Sequence, residues 1–447
     1  MRILFWFRQD LRLEDNPGFS KAAERGEILP IYILDKHIEE GGRHWLHHSL
    51  QCLNQSLEGH LGMFQGNPLE IILMLKKKYE IDAIYWNRCY EPWHIQQEVE
   101  VKKIVHLESF NGSLLWEPWD VLKQNATPYK VFTPYFKKGC LQNTAPRRPL
   151  PKPSKIKFIP STDRIEVLKL LSPSCTFNTK GGERAAADTL ATFLKKGLPH
   201  YREKRDVPAE KVVSRLSSHL HFGEISPHQV WHSVRATGHN ENTDSFLRQL
   251  AWREFSYYLL YHFPHLPDKN LQQKFDAFPW QWESPHIEKW KRGMTGYPFV
   301  DAGMRQLLRE GYMHNRMRMV VGSFLVKNLL IHWKVGANHF WERLTDADLA
   351  NNSAGWQWIA GSGSDAAPYF RIFNPVTQGE KFDPQGSYTR WFVPELKDVP
   401  IEYLFKPWEA PPLLMQKSHV ILGKTYPLPI VDLKQSRDRA LNAFRMI

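Results

Sequence analysis

The first third of the chain alternates between short apolar runs and longer segments with apolar residues at every third or fourth position. The apolar runs Ile3–Phe7, Ile28–Leu34 and Ala83–Asn87 have the length of buried strands. The segments between them, such as 47–61 and 68–79, have the period of amphipathic helices. Strands that alternate with helices predict a parallel sheet wrapped by helices, an α/β fold of the Rossmann-like type.

From about Arg184 onward the pattern changes to apolar residues at helical spacing, with no strand pattern between them. This half of the chain is predicted to be all-α. Residues 128–161 are rich in Pro, Lys and Arg, which indicates a long linker. We therefore predict an α/β domain over residues 1–127, an interdomain linker over 128–183 and a helical domain over 184–447.

The chain is basic, with 59 Lys+Arg against 47 Asp+Glu and a net charge of +12. An excess of this size suits a polyanionic partner, although it also suits a basic soluble enzyme. The opening residues, MRILFWFRQDLRL, are too short an apolar run and too charged for a signal peptide or a membrane span. The chain has 17 tryptophans, and indoles are easily oxidised and stack well on nucleic-acid bases.

The four cysteines, Cys52, Cys89, Cys140 and Cys175, are widely separated along the chain. Their intervals match no metal-ligand spacing. They indicate reduced, structural thiols in a cytoplasmic protein, and we predict no metal site.

Gln249, Trp252, Arg253 and Ser256 share one helix face by three-and-four spacing. An indole between a carboxamide and a guanidinium could hold a flat, anionic ligand that forms hydrogen bonds. The alternative is a core tryptophan with two solvated polar neighbours.

Two further segments place polar groups at helix starts. His314, Asn315 and Arg318 lie on one side of a predicted helix, where the N-terminus could face a phosphate, although a histidine there is commonly a satisfied core residue. Ser214 and Ser217 precede another helix and could cradle a phosphate, but ordinary N-caps look the same.

The stretch DADLANNSAGWQW, residues 346–358, packs carboxylates, carboxamides and indoles together. Asp346 and Asp348 could accept from ribose hydroxyls or pair with an arginine such as Arg253. Asn352 offers a donor and an acceptor to a heteroaromatic ring, with Trp356 close to that ring. The alternative is an acidic helix end followed by core tryptophans.

Taken together and in order, these motifs are specific. The chain resembles the photolyase/cryptochrome family over its full length, most closely the bacterial cyclobutane pyrimidine dimer photolyases. The segments that carry the resemblance are Trp6–Pro17, Ser214–Ser226, Trp252–Phe255, Thr295–Leu307, Met313–Met319, Asn351–Trp358 and Ser364–Pro384.

The resemblance implies an N-terminal α/β antenna domain and a C-terminal all-α domain that binds FAD. Arg253 and Asp346 resemble the family's ion pair beside the isoalloxazine. Asn352 resembles the residue that faces flavin N5, where plant cryptochromes generally carry aspartate; an amide suits a flavin that must stay reduced. The implied flavin contacts are Tyr201, Val213, Ser214, Arg215, Leu216, Ser217, Arg253, Arg318, Asp346, Ala347, Asp348 and Asn352.

The activity that the resemblance implies is light-driven repair of UV-damaged DNA. A dimerised base pair must be flipped into a pocket, where photoexcited reduced FAD gives it one electron and later recovers it. The implied catalytic residues are Gln249, Trp252, Asn315 and Asn352, and the implied DNA contacts are Gln249, Trp252, Asn315, Arg316 and Trp358. Basic residues around the mouth of the cavity, including Arg371 and Lys381, are expected to bind phosphates without reading sequence.

Trp356, Trp333 and Trp280 resemble the family's electron-transfer chain, which photoreduces oxidised flavin from the surface. The alternative for each one is core packing. Trp282 is a rival to Trp280 for the outermost place, because the segment FPWQWESP departs from the usual spacing.

Gln249 stands where dimer photolyases commonly carry glutamate and (6-4) photolyases commonly carry glutamine. The histidine pair of (6-4) enzymes is replaced here by Asn315 and Met319, so we expect repair of the cyclobutane dimer. The alternatives are a (6-4) photolyase and a blue-light-sensing cryptochrome without repair activity.

The antenna cofactor is expected to be 5,10-methenyltetrahydrofolate, with 8-hydroxydeazaflavin as the alternative. Trp93 occupies the position of the asparagine that holds folate in well-known bacterial enzymes and could stack on a pterin. Glu40 and Trp45 are the other candidate contacts. We expect a monomer that binds damaged DNA and no membrane.

Overall fold

The computed structural model describes residues 1–103, 105–160, 168, 170, 171, 177, 179–366 and 368–447. They form two compact units. The first comprises Met1–Arg202, Val213–Pro264 and Thr345–Ala350; the second comprises Glu203–Val212, His265–Leu344 and Asn351–Ile447. These units are defined by packing and differ from the domain limits at 127 and 183, which remain a prediction.

The first unit contains a parallel sheet, as predicted. The strands are β1 (Arg2–Phe7), β2 (Glu27–Ile33), β3 (Gly62–Phe64), β4 (Ala83–Asn87), β5 (Leu107–Phe110) and β6 (Lys157–Phe158). Their order is β3-β2-β1-β4-β5, with β6 also paired to β2, and every pairing is parallel. The central strands β1, β2 and β4 are apolar except for Arg2, Glu27 and Asn87 at their ends, because helices cover both faces of the sheet.

Strand β1 shows how both faces are buried. Ile3, Phe5 and Phe7 belong to one hydrophobic cluster, whereas Leu4 and Trp6 belong to another. Alternate side chains of a strand point to opposite faces, so the two clusters lie on opposite sides of the sheet. This is the core that holds the carboxyl ends of β1, β2 and β4 in place.

The helices that begin in the first unit include several with polar caps. Asn16 and Asn67 accept hydrogen bonds from the first-turn N–H groups of two of them, each with proline at its first position. These helices are α1 (Pro17–Arg25), α2 (Glu40–Ser56), α3 (Pro68–Tyr79), α4 (Pro92–Lys102), α5 (Phe132–Pro134), α6 (Glu183–Thr192), α7 (Tyr201–Lys204), α8 (Ser217–His221), α9 (Pro227–Ala236) and α10 (Glu241–His262).

The remaining helices confirm that the C-terminal half is helical. They are α11 (His286–Lys291), α12 (Pro298–Glu310), α13 (Asn315–Ser323), α14 (Trp333–Arg343), α15 (Leu349–Ala360), α16 (Pro375–Phe382), α17 (Ser387–Phe392), α18 (Ile401–Leu404), α19 (Pro412–Lys417) and α20 (Leu433–Arg445). Short 3₁₀ or π segments cover Pro118–Asp120, Tyr135–Cys140, Phe193–Gly197, Leu198–His200, Gln273–Ala277, Phe324–Asn328, Pro394–Leu396 and Pro407–Glu409.

The predicted linker is more ordered than its composition indicates. Helix α5, the π segment Tyr135–Cys140 and strand β6 all fall within residues 128–160. Aromatic side chains of α5 and of the π segment pack on α10, which offsets the poor helix propensity of a proline-rich sequence. Cys175 lies outside the described residues. None of the helices that the structure describes is both long and apolar enough to cross a membrane.

Candidate functional site

Helix α10 carries Gln249, Trp252 and Arg253, and all three side chains are half-buried. A capping box at Asn240 fixes the start of the helix. The indole of Trp252 lies parallel to the ring of Phe132, with 3.9 Å between centroids and 8° between planes. Protein therefore covers one face of the indole and holds the ring in one orientation.

The guanidinium of Arg253 has partners that the sequence did not predict. It donates to the carbonyl oxygen of Ser113 at 3.0 Å and pairs with Glu254 at 3.1 Å. The adjacent buried carboxylate is therefore one partner of Arg253, and its pairing with Asp346 stays a prediction. Burial acts to lower the pKa of Arg253, but the negative charges around it, including that of Asp348, outweigh burial and raise this pKa. The group stays cationic.

Asp346, Ala347 and Asp348 directly precede α15, and all three are buried. The carboxylate of Asp348 accepts a hydrogen bond from the hydroxyl of Tyr257 and lies 3.3 Å from Nδ1 of His221. Burial acts to raise the pKa of Asp348, but the interactions with His221, Arg253 and Tyr257 dominate and lower it to about 2. The carboxylate is therefore ionised at neutral pH.

The loop Val213–Ser217 leads into α8. Arg215 has φ of +56°, which is uncommon for a residue with a side chain. The hydroxyl of Ser214 accepts from the N–H of Leu216 at 3.4 Å, and Ser217 is exposed at the first position of the helix. Among the described residues no side chain caps this helix. Its first N–H groups are therefore suited to an anion.

Hydrogen bonds join this region to the acidic segment within the first unit. The hydroxyl groups of Ser218 and Thr345 form a hydrogen bond, with 3.0 Å between their oxygens. Together with the contacts of Asp348, this bond brings α8, α10 and residues 345–348 together. Tyr201 is buried and packs edge-on against Phe246 of α10, with 5.3 Å between ring centroids. The predicted flavin contacts of this unit therefore lie on connected elements.

In the second unit, Asn352 has a fixed amide orientation. Its Nδ2 donates to the carbonyl oxygen of Ala337 at 2.9 Å. A carbonyl oxygen only accepts, so the nitrogen must be the atom that faces it, and Oδ1 is left as an acceptor on the other side. Arg318, in α13, donates from Nε to the carbonyl oxygen of Met313 at 2.9 Å.

Trp356 and Trp333 are both buried in the second unit. Trp356 packs against the backbone of Gly336, where a Cβ atom would come within 2.1 Å of the indole. Nε1 of Trp333 donates to Oδ1 of Asn270 at 2.9 Å. Close packing at Gly336 and a satisfied indole nitrogen hold both rings in place.

His332 touches three tryptophan rings. Trp282 stacks on it at 3.9 Å and 15°, and the centroids of Trp280 and Trp333 lie 5.5 and 5.4 Å from it. The side chain of Trp282 is 56% exposed, and that of Trp280 is half-buried. Nε1 of Trp280 donates to the carbonyl oxygen of Phe275 at 3.2 Å. Both rivals for the outermost position therefore contact the same imidazole.

The predicted DNA contacts of the second unit differ in their surroundings. Asn315 is exposed at the start of α13, while Arg316 and Trp358 are half-buried. Arg316 pairs with Asp206 at 2.8 Å, and its guanidinium carbon lies 4.2 Å from the ring centroid of Phe382. Arg371 and Lys381 are exposed.

The candidate antenna contacts lie in the first unit and have different partners. Trp45 is buried and donates to Oε1 of Glu224 at 3.1 Å. Trp93 is half-buried, stacks on His37 with 4.1 Å between centroids and donates to Oδ2 of Asp35 at 3.1 Å. Glu40 begins α2.

Sequence reasoning missed Phe132, His221, Tyr257 and His332. Tyr257 lies four residues after Arg253 on α10, so helical spacing could have indicated it. Nothing in the local sequence connects Phe132 or His332 to their aromatic partners, because those contacts depend on tertiary packing.

The comparisons with known proteins agree with this architecture. Residues 3–154 match the family model for DNA photolyase, and residues 246–446 match the FAD binding domain of DNA photolyase. The deoxyribodipyrimidine photo-lyase of Agrobacterium fabrum is 43% identical, over 100% of this chain and 98% of that protein. Cryptochrome-2 of Arabidopsis thaliana is 36% identical, over 98% of this chain and 78% of that protein.

A solved structure is similarly close. A bacterial class III photolyase from Agrobacterium tumefaciens has a TM-score of 0.95 and 42% identity, covering 100% of this chain and 97% of that chain. A parallel α/β domain followed by a helical FAD-binding domain defines the class of photolyases and cryptochromes. The chain belongs to the DNA photolyase family.

Proposed function

We propose that this protein is a deoxyribodipyrimidine photolyase, which uses light to split cyclobutane pyrimidine dimers in DNA. The observation that carries the proposal is the 43% identity with a deoxyribodipyrimidine photo-lyase over the full length of this chain. Cryptochrome-2 is less similar, at 36%. Asn352, at the position where plant cryptochromes generally have aspartate, also favours repair over sensing.

The residues present fit FAD. The loop Val213–Ser217, with its uncapped helix start, would hold the phosphates. Arg253, Asp346, Ala347 and Asp348 would hold the isoalloxazine and ribose, with Tyr201 and Arg318 completing the contacts. When bound in its reduced form and excited by light, FAD supplies the electron that opens the cyclobutane ring and receives it back afterwards.

The orientation of Asn352 suits a reduced flavin. With Nδ2 bonded to Ala337, Oδ1 can only accept. A reduced flavin carries a proton on N5 and an oxidised flavin does not, so an acceptor oxygen at that position favours the reduced state. The amide also cannot release a proton to the ring at neutral pH.

Trp252 would pack against the flipped dimer with the indole face opposite Phe132. Flipping the lesion costs less than flipping normal bases because a dimer is already poorly stacked. Gln249, Asn315, Arg316 and Trp358 would contact the lesion and its flanking backbone. Exposed basic residues such as Arg371 and Lys381 would bind phosphates without reading sequence. The net charge of +12 also favours binding to polyanionic DNA.

Trp356, Trp333 and Trp280 would carry electrons from the surface to oxidised flavin. Buried, hydrogen-bonded indoles such as Trp333 are held rigidly, which favours transfer between fixed partners. His332 contacts Trp333, Trp280 and Trp282, so it would provide the path between the inner and outer rings.

The antenna would be 5,10-methenyltetrahydrofolate or, as the alternative, 8-hydroxydeazaflavin, with Glu40, Trp45 and Trp93 as candidate contacts. Trp93 is the best placed of these for stacking because it is half-buried, whereas Trp45 is buried with its indole N–H bonded to Glu224. The protein would act as a cytoplasmic monomer.

A paired-substrate experiment tests the proposal. The purified protein is illuminated with one oligonucleotide that carries a cyclobutane thymine dimer and another that carries a (6-4) product. We expect blue light to restore the first and leave the second unchanged. Restoration of the (6-4) product alone would assign the other repair activity, and photoreduction without any restoration would identify a receptor. The absorption spectrum of the denatured protein would identify FAD and distinguish folate from deazaflavin.

A further inference from the structure

Three metal-ligating side chains meet in the first unit, outside the residues proposed for flavin and DNA. The sulfur of Cys89, a carboxylate oxygen of Glu91 and a ring nitrogen of His94 all lie within 4.8 Å of one another. All three residues are buried, and Cys89 is a free thiol. Soft thiolate, imidazole and carboxylate together form a ligand set that zinc prefers.

The topology of the sheet brings these side chains together at a place where ligands commonly bind. Cys89 follows β4, Glu91 is the N-cap of α4, and His94 lies in the first turn of that helix. Strands β4 and β1 are neighbours at the centre of the sheet, where the strand order reverses. In open parallel sheets, the crevice beyond the carboxyl ends of the strands at this point is the usual ligand site.

A second layer of hydrogen bonds supports the possible ligands. Nε2 of His94 lies 2.9 Å from Oδ2 of Asp35, which follows β2. Nε2 of Gln9, which follows β1, donates to Oε1 of Glu91 at 2.6 Å. A carboxylate on the far nitrogen of a histidine is the usual partner of a metal-bound imidazole, because it fixes the ring and makes it more basic.

The distances also fit an ion of the size of zinc. Nδ1 of His94 and Oε2 of Glu91 are 3.2 Å apart. Nitrogen and oxygen ligands at tetrahedral angles on zinc, with bonds of roughly 2.0–2.1 Å, are about 3.3 Å apart. The sulfur of Cys89 lies within 4.8 Å of a ring nitrogen of His94 and a carboxylate oxygen of Glu91.

We propose that Cys89, Glu91 and His94 bind one Zn²⁺ ion, with His94 ligating through Nδ1 and Cys89 as thiolate. Binding would release the thiol proton, and any proton on Nδ1, to solvent. Three protein ligands leave the fourth tetrahedral position to water. The ion would tie the start of α4 to the carboxyl end of β4. Cysteine spacing alone does not reveal this site because its ligands are three different residue types.

The test uses the full-length protein with its flavin. After treatment with a chelator, the protein is dialysed against Zn²⁺, and bound metal is counted by mass spectrometry. We expect one Zn²⁺ per chain in the wild type and in the Cys52→Ser control, which removes a thiol from α2. We expect Cys89→Ser and His94→Gln to lose this equivalent. Flavin content and circular dichroism check that each variant is folded.

Co²⁺ provides a readout of the sulfur ligand that does not depend on any variant's stability. A Co²⁺ difference spectrum of the wild type should show a thiolate-to-cobalt charge-transfer band, which Cys52→Ser should keep. A wild type that retains no Zn²⁺, or a Cys89→Ser variant that retains as much as the wild type, would overturn the proposal. A cobalt complex without the charge-transfer band would also overturn the proposal. It would mean that the sulfur of Cys89 does not bind the metal and that the imidazole of His94 is only hydrogen-bonded between Glu91 and Asp35.

Discussion

The indole of Trp252 and the phenyl ring of Phe132 are stacked in parallel, 3.9 Å apart at an angle of 8°. Trp252 lies on α10 and Phe132 begins the short helix α5. The contact gives a role to a segment that its composition indicates to be a linker. It sets the plane of the indole that we propose packs on the lesion.

Replacing Phe132 with leucine should weaken binding of dimer-containing DNA. Stacked aromatic pairs contribute about 0.5–1.5 kcal/mol beyond their buried area, so we expect Kd to rise by about 2- to 10-fold. Undamaged DNA should bind as before. Equilibrium binding to damaged and undamaged oligonucleotides measures both effects.

The matched control for this change is Phe158→Leu. Phe158 lies in strand β6, and its ring stacks on His60. It should leave the affinity for damaged DNA unchanged. Equal loss of affinity in both variants would mean that a general loss of stability, and not the orientation of Trp252, explains the result.

Replacing Asn352 with aspartate should destabilise the protein and its reduced flavin. An ionised carboxylate cannot donate to the carbonyl oxygen of Ala337 and would face it oxygen to oxygen, so we expect a cost of about 1–3 kcal/mol. Denaturant unfolding measures this loss, and absorption spectra after illumination measure the reduced fraction. Asn442→Asp introduces the same charge at an exposed position and should change neither quantity. An unchanged reduced fraction in Asn352→Asp would contradict the proposed role of the amide.

The tryptophan chain can be tested by separating photoreduction from repair. Trp280→Phe should slow photoreduction of oxidised flavin by an order of magnitude or more, because it removes the outer member of the proposed chain. Trp282→Phe should have a small effect. Chemically reduced protein should repair dimers equally well in both variants. The opposite order of photoreduction rates would assign the outer position to Trp282, which stacks on His332 and is more exposed.

Asp348 should make stability depend on pH in the acidic range. Interactions with His221, Arg253 and Tyr257 outweigh burial and lower its pKa from 3.8 to about 2. Because the folded-state pKa is below the unfolded value, the carboxylate stabilises the fold above about pH 4 and loses this effect as the pH falls toward 2. The shift corresponds to about 2 kcal/mol.

We therefore expect Asp348→Asn to lower the free energy of unfolding by about 2 kcal/mol at neutral pH. The difference from the wild type should stay constant from pH 7 to 5 and shrink below pH 4. Urea unfolding at a series of pH values measures it. Asp268→Asn, which breaks an exposed pair with Lys334, should cost at most about 1 kcal/mol. A constant difference down to the lowest pH would contradict the proposed ionisation.

Apolar runs in the sequence predict the longer strands β1, β2 and β4. Strand β4 has the predicted bounds, Ala83–Asn87, and β1 and β2 are shifted by one residue at one or both ends. Strands β3 and β5 have only three and four residues. Runs this short do not stand out from loops, and they are strands because β2 and β4 offer free edges beside them.

The candidate site likewise contains residues that the sequence indicates and packing partners that it does not. Residue types and spacing made Trp252, Asp348 and Asn352 candidates, and the resemblance of their ordered motifs to the photolyase/cryptochrome family gave them their predicted roles. Their partners were not predictable in this way. The contact of Asp348 with His221, and the ring of Phe132 over Trp252, depend on how separate segments pack in three dimensions.

The most direct test of the central claim is light-dependent repair by the reduced protein. A dimer-containing oligonucleotide is bound in the dark and then exposed to blue light, and the return of the intact thymine absorbance is followed. We predict restoration that begins with the light, stops in the dark and is lost when the flavin is removed. No restoration under light by protein with fully reduced FAD would contradict the account.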